Sequence, residues 1–422
     1  MVQKWTNWSG SVQVQPGEFA RPTDEAQLAA CVTRAKKLRV VGAGHSFTPL
    51  CETDGTLIDL SGLPETVEID PSGATAWIAG GMSIAKLTRA LWHQGYSIAN
   101  QGDVNPQSLA GALATGTHGT GAELGSLSTL ARGFKLMLAD GSIVECSDTD
   151  KPDLFQAARL SLGLIGIVLS VRLAILPAYR LEERTFRVGL DELPERYAEL
   201  AAAHRHVEFF AFPYADHAIV KTLHPTADLR PARKPAAWEE SVFKLACDVS
   251  ARWPRATRGT QRTLMRLVTP GHRFGPAHEI FPTDRNVRFE EMEYEIPRDA
   301  GFPTLKAAIA LIRARSLHVT FPFEFRWVAG DDIWLSPFNR GPCASISLHQ
   351  YAKLSYDESF RALEPLLAAH GGRPHWGKRH NMSARDVAAG YPMLEQFKRV
   401  RAQVDPTNKL ANNYLLSLFA NG

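Results

Sequence analysis

The stretch Arg39-Val-Val-Gly-Ala-Gly-His-Ser-Phe47 constrains the fold of this chain more than any other. Two β-branched residues run straight into a Gly-Ala-Gly turn. A chain often begins to cradle a phosphate in this way, because glycine lets backbone N–H groups approach a ligand closely. A dinucleotide-binding Rossmann unit would continue with a third glycine or alanine and then a helix whose N-terminus faces the pyrophosphate. Here Phe47 stands at that place, and Pro49 and Asp54-Gly55 break the chain before the next strand at Leu57. No crossover helix fits, so the Rossmann reading fails. What remains is a loop whose N–H groups over Val41, Gly42, Ala43, Gly44, His45 and Ser46 suit an anion-binding nest. The His45 side chain is left free for chemistry. On its own, His45 reads equally well as a turn residue of unusual φ, where histidine is enriched.

The chain has 422 residues, enough for two substantial cores. A formal net charge of +3 gives no reason to expect nucleic acid as a partner. Cys31, Cys51, Cys146, Cys247 and Cys343 are odd in number and widely spaced, which disfavours a zinc site and a disulfide framework and suits a reducing compartment. The first residues lack the apolar core of a signal peptide, and no segment approaches the roughly 18 apolar residues of a membrane span. A cytoplasmic protein is expected, with peripheral membrane attachment left open. No metal site is expected.

Apolar residues recur at helical spacing from Thr23 to Lys37, with Thr23 offered as N-cap and acids in the first turn. Short strands are expected at Leu57 to Leu60, Thr66 to Ile69 and Ala74 to Ala79, and a helix from Ser83 to Gln94. Asp140-Gly141 marks a tight hairpin between Arg132 to Leu138 and Ser142 to Glu145. The apolar run Leu160 to Leu176 ends at Pro177, where a first boundary falls. Strands and helices alternate, which argues α/β or α+β. Beyond it, longer strands and a Pro/Arg-rich insertion change the pattern.

A second glycine-rich segment spans Gly102 to Gly121 and includes Asp103, Ser108, Gly111, Thr115, Gly116, Thr117, His118 and Gly119. Small side chains and hydroxyls permit the close approach of a flat ring system; alone, the segment also reads as a capped helix followed by a loop. In Ser161-Leu-Gly-Leu-Ile-Gly-Ile-Val168, the residues Gly166, Ile167 and Val168 suit a buried strand with a close-packed glycine. Phe321 to Val328 has period two: Glu324 and Arg326 share one face, and Phe323, Phe325 and Trp327 share the other. Cys343 to Tyr351 divides in the same way, with Ser345, Ser347, His349 and Tyr351 together. A sheet face of Glu, Arg, Ser and His suits a hydroxyl-rich ligand.

These segments, in this order, resemble the vanillyl-alcohol oxidase type of flavoprotein, in its aldonolactone and alditol oxidase branch. Val-Val-Gly-Ala-Gly-His-Ser-Phe resembles that family's pyrophosphate loop. Gly-Thr-His-Gly resembles its flavin-contacting loop, and Gly166 to Val168 its strand beside the adenine. Glu324 and Arg326 match its Glu-x-Arg strand, His375-Trp-Gly-Lys378 its lysine motif, and Arg288 to Pro297 its Glu-Met-Glu-Tyr strand. Asp405-Pro406 and Leu410 to Leu415, with Asn412, resemble its C-terminal tail.

The resemblance implies an α+β fold: a two-part FAD-binding domain over 1–177, a substrate-binding α+β cap over 178–390, and a return to the first domain over 391–422. It implies FAD joined covalently to His45 at the flavin C8α methyl. Hydride would pass to flavin N5 from a five-membered sugar lactone such as L-gulono- or D-arabinono-1,4-lactone, with oxygen as acceptor and peroxide as product. A polyol oxidase, or a dehydrogenase using another acceptor, is the alternative. Arg326 and Lys378 are implied to stabilise developing negative charge, Glu324 to hold a hydroxyl, and His349 to face the substrate.

Two departures favour the lactone side over alditol oxidases, which have Ala-Ser where Gly102-Asp103 aligns and threonine where His349 aligns. Gly102 aligns beside the flavin C4a–N5 edge, where a larger side chain resembles a gate against oxygen. Arg252, Arg255, Arg258, Arg262 and Arg266 recur without an acid between them, which suits a solvated helix face or, alternatively, an anionic surface.

Overall fold

The computed structural model describes residues 4–230, 237–283 and 286–420; part of the Pro/Arg-rich insertion, 231–236, lies outside them. Three larger sheets carry the architecture. In the first, Thr56–Asp59 lies between Glu18–Ala20 and Leu38–Val41, all parallel. Its central residues Leu57 and Ile58 are fully buried, as the middle of a parallel sheet requires. The helix before Leu38–Val41 spans Glu25–Arg34. Asp24, not Thr23, is its N-cap, because the Asp24 carboxylate accepts from Gln27 N at 2.8 Å.

The second sheet is antiparallel, in the order Ile143–Ser147, Ala131–Met137, Ile167–Ala174, Thr75–Ala79, Val67–Ile69. Its hairpin turns at Gly141, whose φ of +88° favours glycine. Arg39 fastens these parts to one another. It is buried, and it donates to the carbonyls of Leu50 at 2.7 Å, Leu162 at 2.6 Å and Leu410. Burial lowers its pKa to about 10, which leaves it charged at neutral pH.

The third sheet has eight antiparallel strands, in the order Gly271–Pro276, Arg180–Gly189, His217–Thr226, His206–Ala211, Phe323–Val328, Cys343–Tyr351, Phe289–Pro297, Arg373–Pro374. Phe209, Phe323, Phe325, Ile346 and Leu348 on one face join a core with helices Leu193–Ala203, Gly301–Arg315 and Asp357–Ala369. Each buried aromatic there contributes on the order of 3–5 kcal/mol against truncation to alanine. The charged face looks the other way, towards the two smaller sheets.

A separate apolar core packs residues of the second sheet with Trp334, Trp376, Phe397, Leu415 and Phe419. The chain's last helices therefore close the body that carries the glycine-rich loops. The arginine run is split. Helix Ala237–Arg252 ends at Arg252, and Thr257–Leu267 carries Arg258, Arg262 and Arg266. Arg258 reaches Ser316 Oγ at 2.9 Å and lies over the Tyr214 ring, while Arg262 donates to the Tyr214 carbonyl. No helix among the described residues is long and apolar enough to cross a membrane.

Candidate active site

Two cavities meet at the His45 loop. The longer, about 390 Å³, runs past Val41, Gly42, Ala43, Gly44, Ser108, Gly111, Gly166, Ile167 and Val168, and its size is that of a ligand pocket. The smaller, about 90 Å³, lies against the eight-stranded sheet and is walled by Gly102, Asp103, Thr117, His118, Glu324, Arg326, His349 and Lys378. His45, Ser46, Gln107 and Thr115 border both, so one elongated ligand can occupy the two.

Three of the residues assigned to the cofactor in the sequence border neither cavity. Gly116 ends helix Leu109–Thr115 with a φ of +79°, and Gly119 packs so closely on the Gln101 carbonyl that a Cβ would overlap it. The Asn412 amide instead donates to the carbonyls of Pro49 at 2.8 Å and Glu52 at 2.9 Å, while its oxygen caps Leu415 N. It tethers the turn that follows the His45 loop.

His45 does not carry the unusual backbone angle; Gly44 does, at φ +70°. The imidazole is partly buried, and burial together with the Lys378 charge lowers its pKa to about 4, so it is neutral at physiological pH. Phe47 N donates to the Gly377 carbonyl at 2.7 Å, and Thr48 Oγ1 to the Trp376 carbonyl at 3.0 Å. The loop that carries His45 is thereby stitched to the segment that presents Lys378.

The charged wall is a set of rows across neighbouring strands. Glu295 pairs in register with Ser345, Ser345 with Arg326, Arg326 with Glu208, and Glu208 with Lys221. Arg326 donates to Glu293 at 2.7 Å and stands 3.5 Å from Glu324. Burial alone would weaken its charge, but Glu324 and Glu293 outweigh this and hold it firmly protonated. Lys378 bonds Glu291, whose carboxyl stays well below its usual range despite burial, because of Lys378 and His349. Glu208 is driven the opposite way, up to about 7, by burial and by Asp103 against the pull of Lys221. Asp103 borders the smaller cavity with its carboxylate 3.5 Å from Lys221, so this lysine ties the loop to the sheet.

Glu291 and Glu293 were missed as wall residues in the sequence. The signal was present: Glu291, Glu293 and Glu295 alternate with Met292, Tyr294 and Ile296, which places three carboxylates on one face. Such an alternation alone does not tell an acidic edge strand from an interior one; in the sheet the segment lies inside, beside Cys343–Tyr351, and all but its last residue are buried. Trp8 and Phe289 were also missed; they form an aromatic wall beside His45.

The cleft fits FAD. Glycines line it where side chains would intrude, and a Cβ on Gly42 would overlap Ser108 Oγ. Near its charged end, Thr117 Oγ1, Ser347 Oγ, Glu324 Oε1 and Arg326 Nε are buried without a protein hydrogen-bond partner, as a site built for a polar ligand leaves them. Residues 16–147 match the FAD binding domain family. The whole chain has the fold of cholesterol oxidase from Brevibacterium sterolicum, with a TM-score of 0.84 at 17% identity over 99% of this chain and 96% of that one. The protein is an FAD-dependent oxidoreductase with an α+β fold of the vanillyl-alcohol oxidase type.

Residues 171–418 match the D-arabinono-1,4-lactone oxidase family, and the chain belongs to it. It is 37% identical to the L-gulono-1,4-lactone dehydrogenase of Mycobacterium tuberculosis over 97% of both chains. It is 28% identical to the L-gulonolactone oxidase of Bos taurus over 99% of this chain and 98% of that protein. With the alditol oxidase of a Streptomyces species it shares 30% over 98% of each.

Proposed function

We propose that the protein oxidises a five-membered sugar lactone, such as L-gulono- or D-arabinono-1,4-lactone, at a CH–OH carbon, with dioxygen as acceptor and hydrogen peroxide as product. The observation that carries this is the wall of Glu324, Arg326, His349 and Lys378 closing the short end of a cleft whose long end fits FAD. The division into an FAD-binding part at 1–177, a cap at 178–390 and a return at 391–422 is part of the same reading.

When bound, FAD supplies the hydride acceptor, and in this reading it is joined to His45. Arg326, held charged by Glu293, and Lys378, held by Glu291, stabilise the negative charge that grows as the hydroxyl loses its proton. Glu324, whose Oε1 lies 3.5 Å from Arg326 but receives no hydrogen bond from the protein, accepts one from a neighbouring hydroxyl. His349 Nε2 stands 3.4 Å from Glu291 and 3.9 Å from Glu324, so the imidazole closes the small cavity beside both carboxylates, where it faces the substrate. Val41 to Ser46 and Gly166 to Val168 hold the dinucleotide, and Gly102, Ser108, Gly111, Thr115, Thr117 and His118 the flavin end.

A second reading, a dehydrogenase that passes electrons to an acceptor other than oxygen, is favoured by the name of the relative that is 37% identical. Gly102 favours oxygen, because it adds no side chain to the cavity wall. A substrate panel in air, read by peroxide and repeated with an artificial dye, tests both. Peroxide with lactones supports the oxidase; dye reduction without peroxide makes it the dehydrogenase; polyols faster than lactones would move it towards alditol oxidation.

A further inference from the structure

The N-terminal hairpin, Trp5–Thr6 paired with Gln13–Val14, holds the His45 loop from outside. Trp8 N donates to the Gly44 carbonyl at 2.8 Å, and Asn7 Nδ2 donates to the Ser46 carbonyl at 3.0 Å, so the residues on both sides of His45 are tied to it. Asn7 is buried, and its oxygen accepts from Gly10 N and Val12 N at 3.0 Å each, which fixes its own side chain. On this frame the Trp8 indole lies stacked on the His45 imidazole, with centroids 5.5 Å apart and planes 27° from parallel. The indole is braced from behind by Phe289 at 5.1 Å, edge-on, and by Phe47 at 6.5 Å. Trp5 also presses on the loop: a Cβ on Gly44 would stand 2.8 Å from its ring.

An imidazole that must meet one particular methyl carbon needs its ring plane fixed, because reactions between held groups lose steeply when the attacking atom is misplaced. Backbone bonds fix where the loop runs but leave the His45 side-chain torsions free. The Trp8 ring face removes that freedom. We propose that Trp8, carried by the hairpin that Asn7 anchors, is the positioning residue that orients His45 for attachment to the flavin. This rests on the covalent reading given above. In the attachment, an imidazole N–C8α bond forms while the imidazole N–H and one methyl C–H break. Two protons leave, and two electrons remain on the ring system until dioxygen, or another two-electron acceptor, removes them.

The test is the share of flavin that stays with the protein pellet after acid precipitation, measured beside the total flavin bound before it. Trp8→Ala is expected to keep most of its FAD yet release most of that to the acid supernatant, as attachment slows roughly 10- to 10²-fold. Trp8→Phe, which restores a ring face, is expected to return most flavin to the pellet. Trp8→Leu keeps apolar bulk against Phe289 without a ring face, and serves in place of alanine should that variant not fold. A Trp8→Ala or Trp8→Leu protein as fully covalent as the wild type would overturn the proposal. So would an equal loss of total flavin in all three variants, which would make the hairpin a purely structural closure. Wild-type flavin that comes off freely in acid would instead remove the covalent reading, and this proposal with it.

Discussion

Arg326 donates to Glu293 Oε1 at 2.7 Å, and the same oxygen accepts from Ser345 Oγ at 2.6 Å and faces His118 Nε2 at 3.1 Å. One buried carboxylate oxygen thus organises three groups, two from neighbouring strands and one from the loop after helix Leu109–Thr115. Removing it takes from Arg326 and His118 one of two carboxylates each, leaving only Glu324 and Glu295 against these buried charges, a loss of up to about 3–5 kcal/mol. Glu293→Ala is expected to lower the thermal midpoint markedly, and Glu293→Gln less, because the amide keeps an acceptor oxygen. Thermal unfolding of the two variants beside the wild type reads this; an unchanged midpoint in Glu293→Ala would show that the network holds nothing together.

Arg326→Ala and Lys378→Ala are each expected to slow reduction of the flavin by roughly 10²-fold or more, the scale of losing one preorganised charge-stabilising group. Flavin content should hardly change, since neither residue belongs to the His45 loop. Stopped-flow reduction at saturating substrate decides. A variant with a normal rate and only a raised KM would reassign that residue to binding.

His118 gives stability a defined pH dependence. Burial alone would lower its pKa, but Glu295 and Glu293 reverse this and raise it to about 9. A histidine raised above its ordinary 6.5 contributes stability that is complete below that pH and is lost as pH climbs through 9. The thermal midpoint is expected to fall over this window, and less steeply in His118→Gln. Parallel slopes in the two proteins would contradict the assignment.

The fold and most of the cleft were legible because both rest on local signals. The Gly-Ala-Gly-His turn, the Gly-Thr-His-Gly loop and the period-two strands announce themselves within a few residues. The Trp8–His45 stack and the Asp103–Lys221 pair join residues far apart in sequence, so they depend on which strands become neighbours. No spacing rule reports that. Glu291 and Glu293 fall between: their alternation was visible, but an edge strand and an interior strand with one charged face read alike until the sheet order is known.

His45→Ala is expected to bind FAD without the covalent bond, so that acid precipitation leaves a colourless pellet and a yellow supernatant, the reverse of the wild type. Reduction by substrate should persist at a lower rate, because Arg326 and Lys378 remain in place. A wild-type pellet without colour would end the covalent reading while leaving FAD binding untouched.

The most direct test of lactone oxidation is anaerobic mixing of the purified protein with L-gulono-1,4-lactone while the visible absorbance of its flavin is followed. Without oxygen or dye, the acceptor question drops out and only transfer from substrate to flavin is read. Rapid bleaching by the lactone, with xylitol slower, is the predicted result. A flavin that stays oxidised with both L-gulono- and D-arabinono-1,4-lactone, yet bleaches with a polyol, would contradict it.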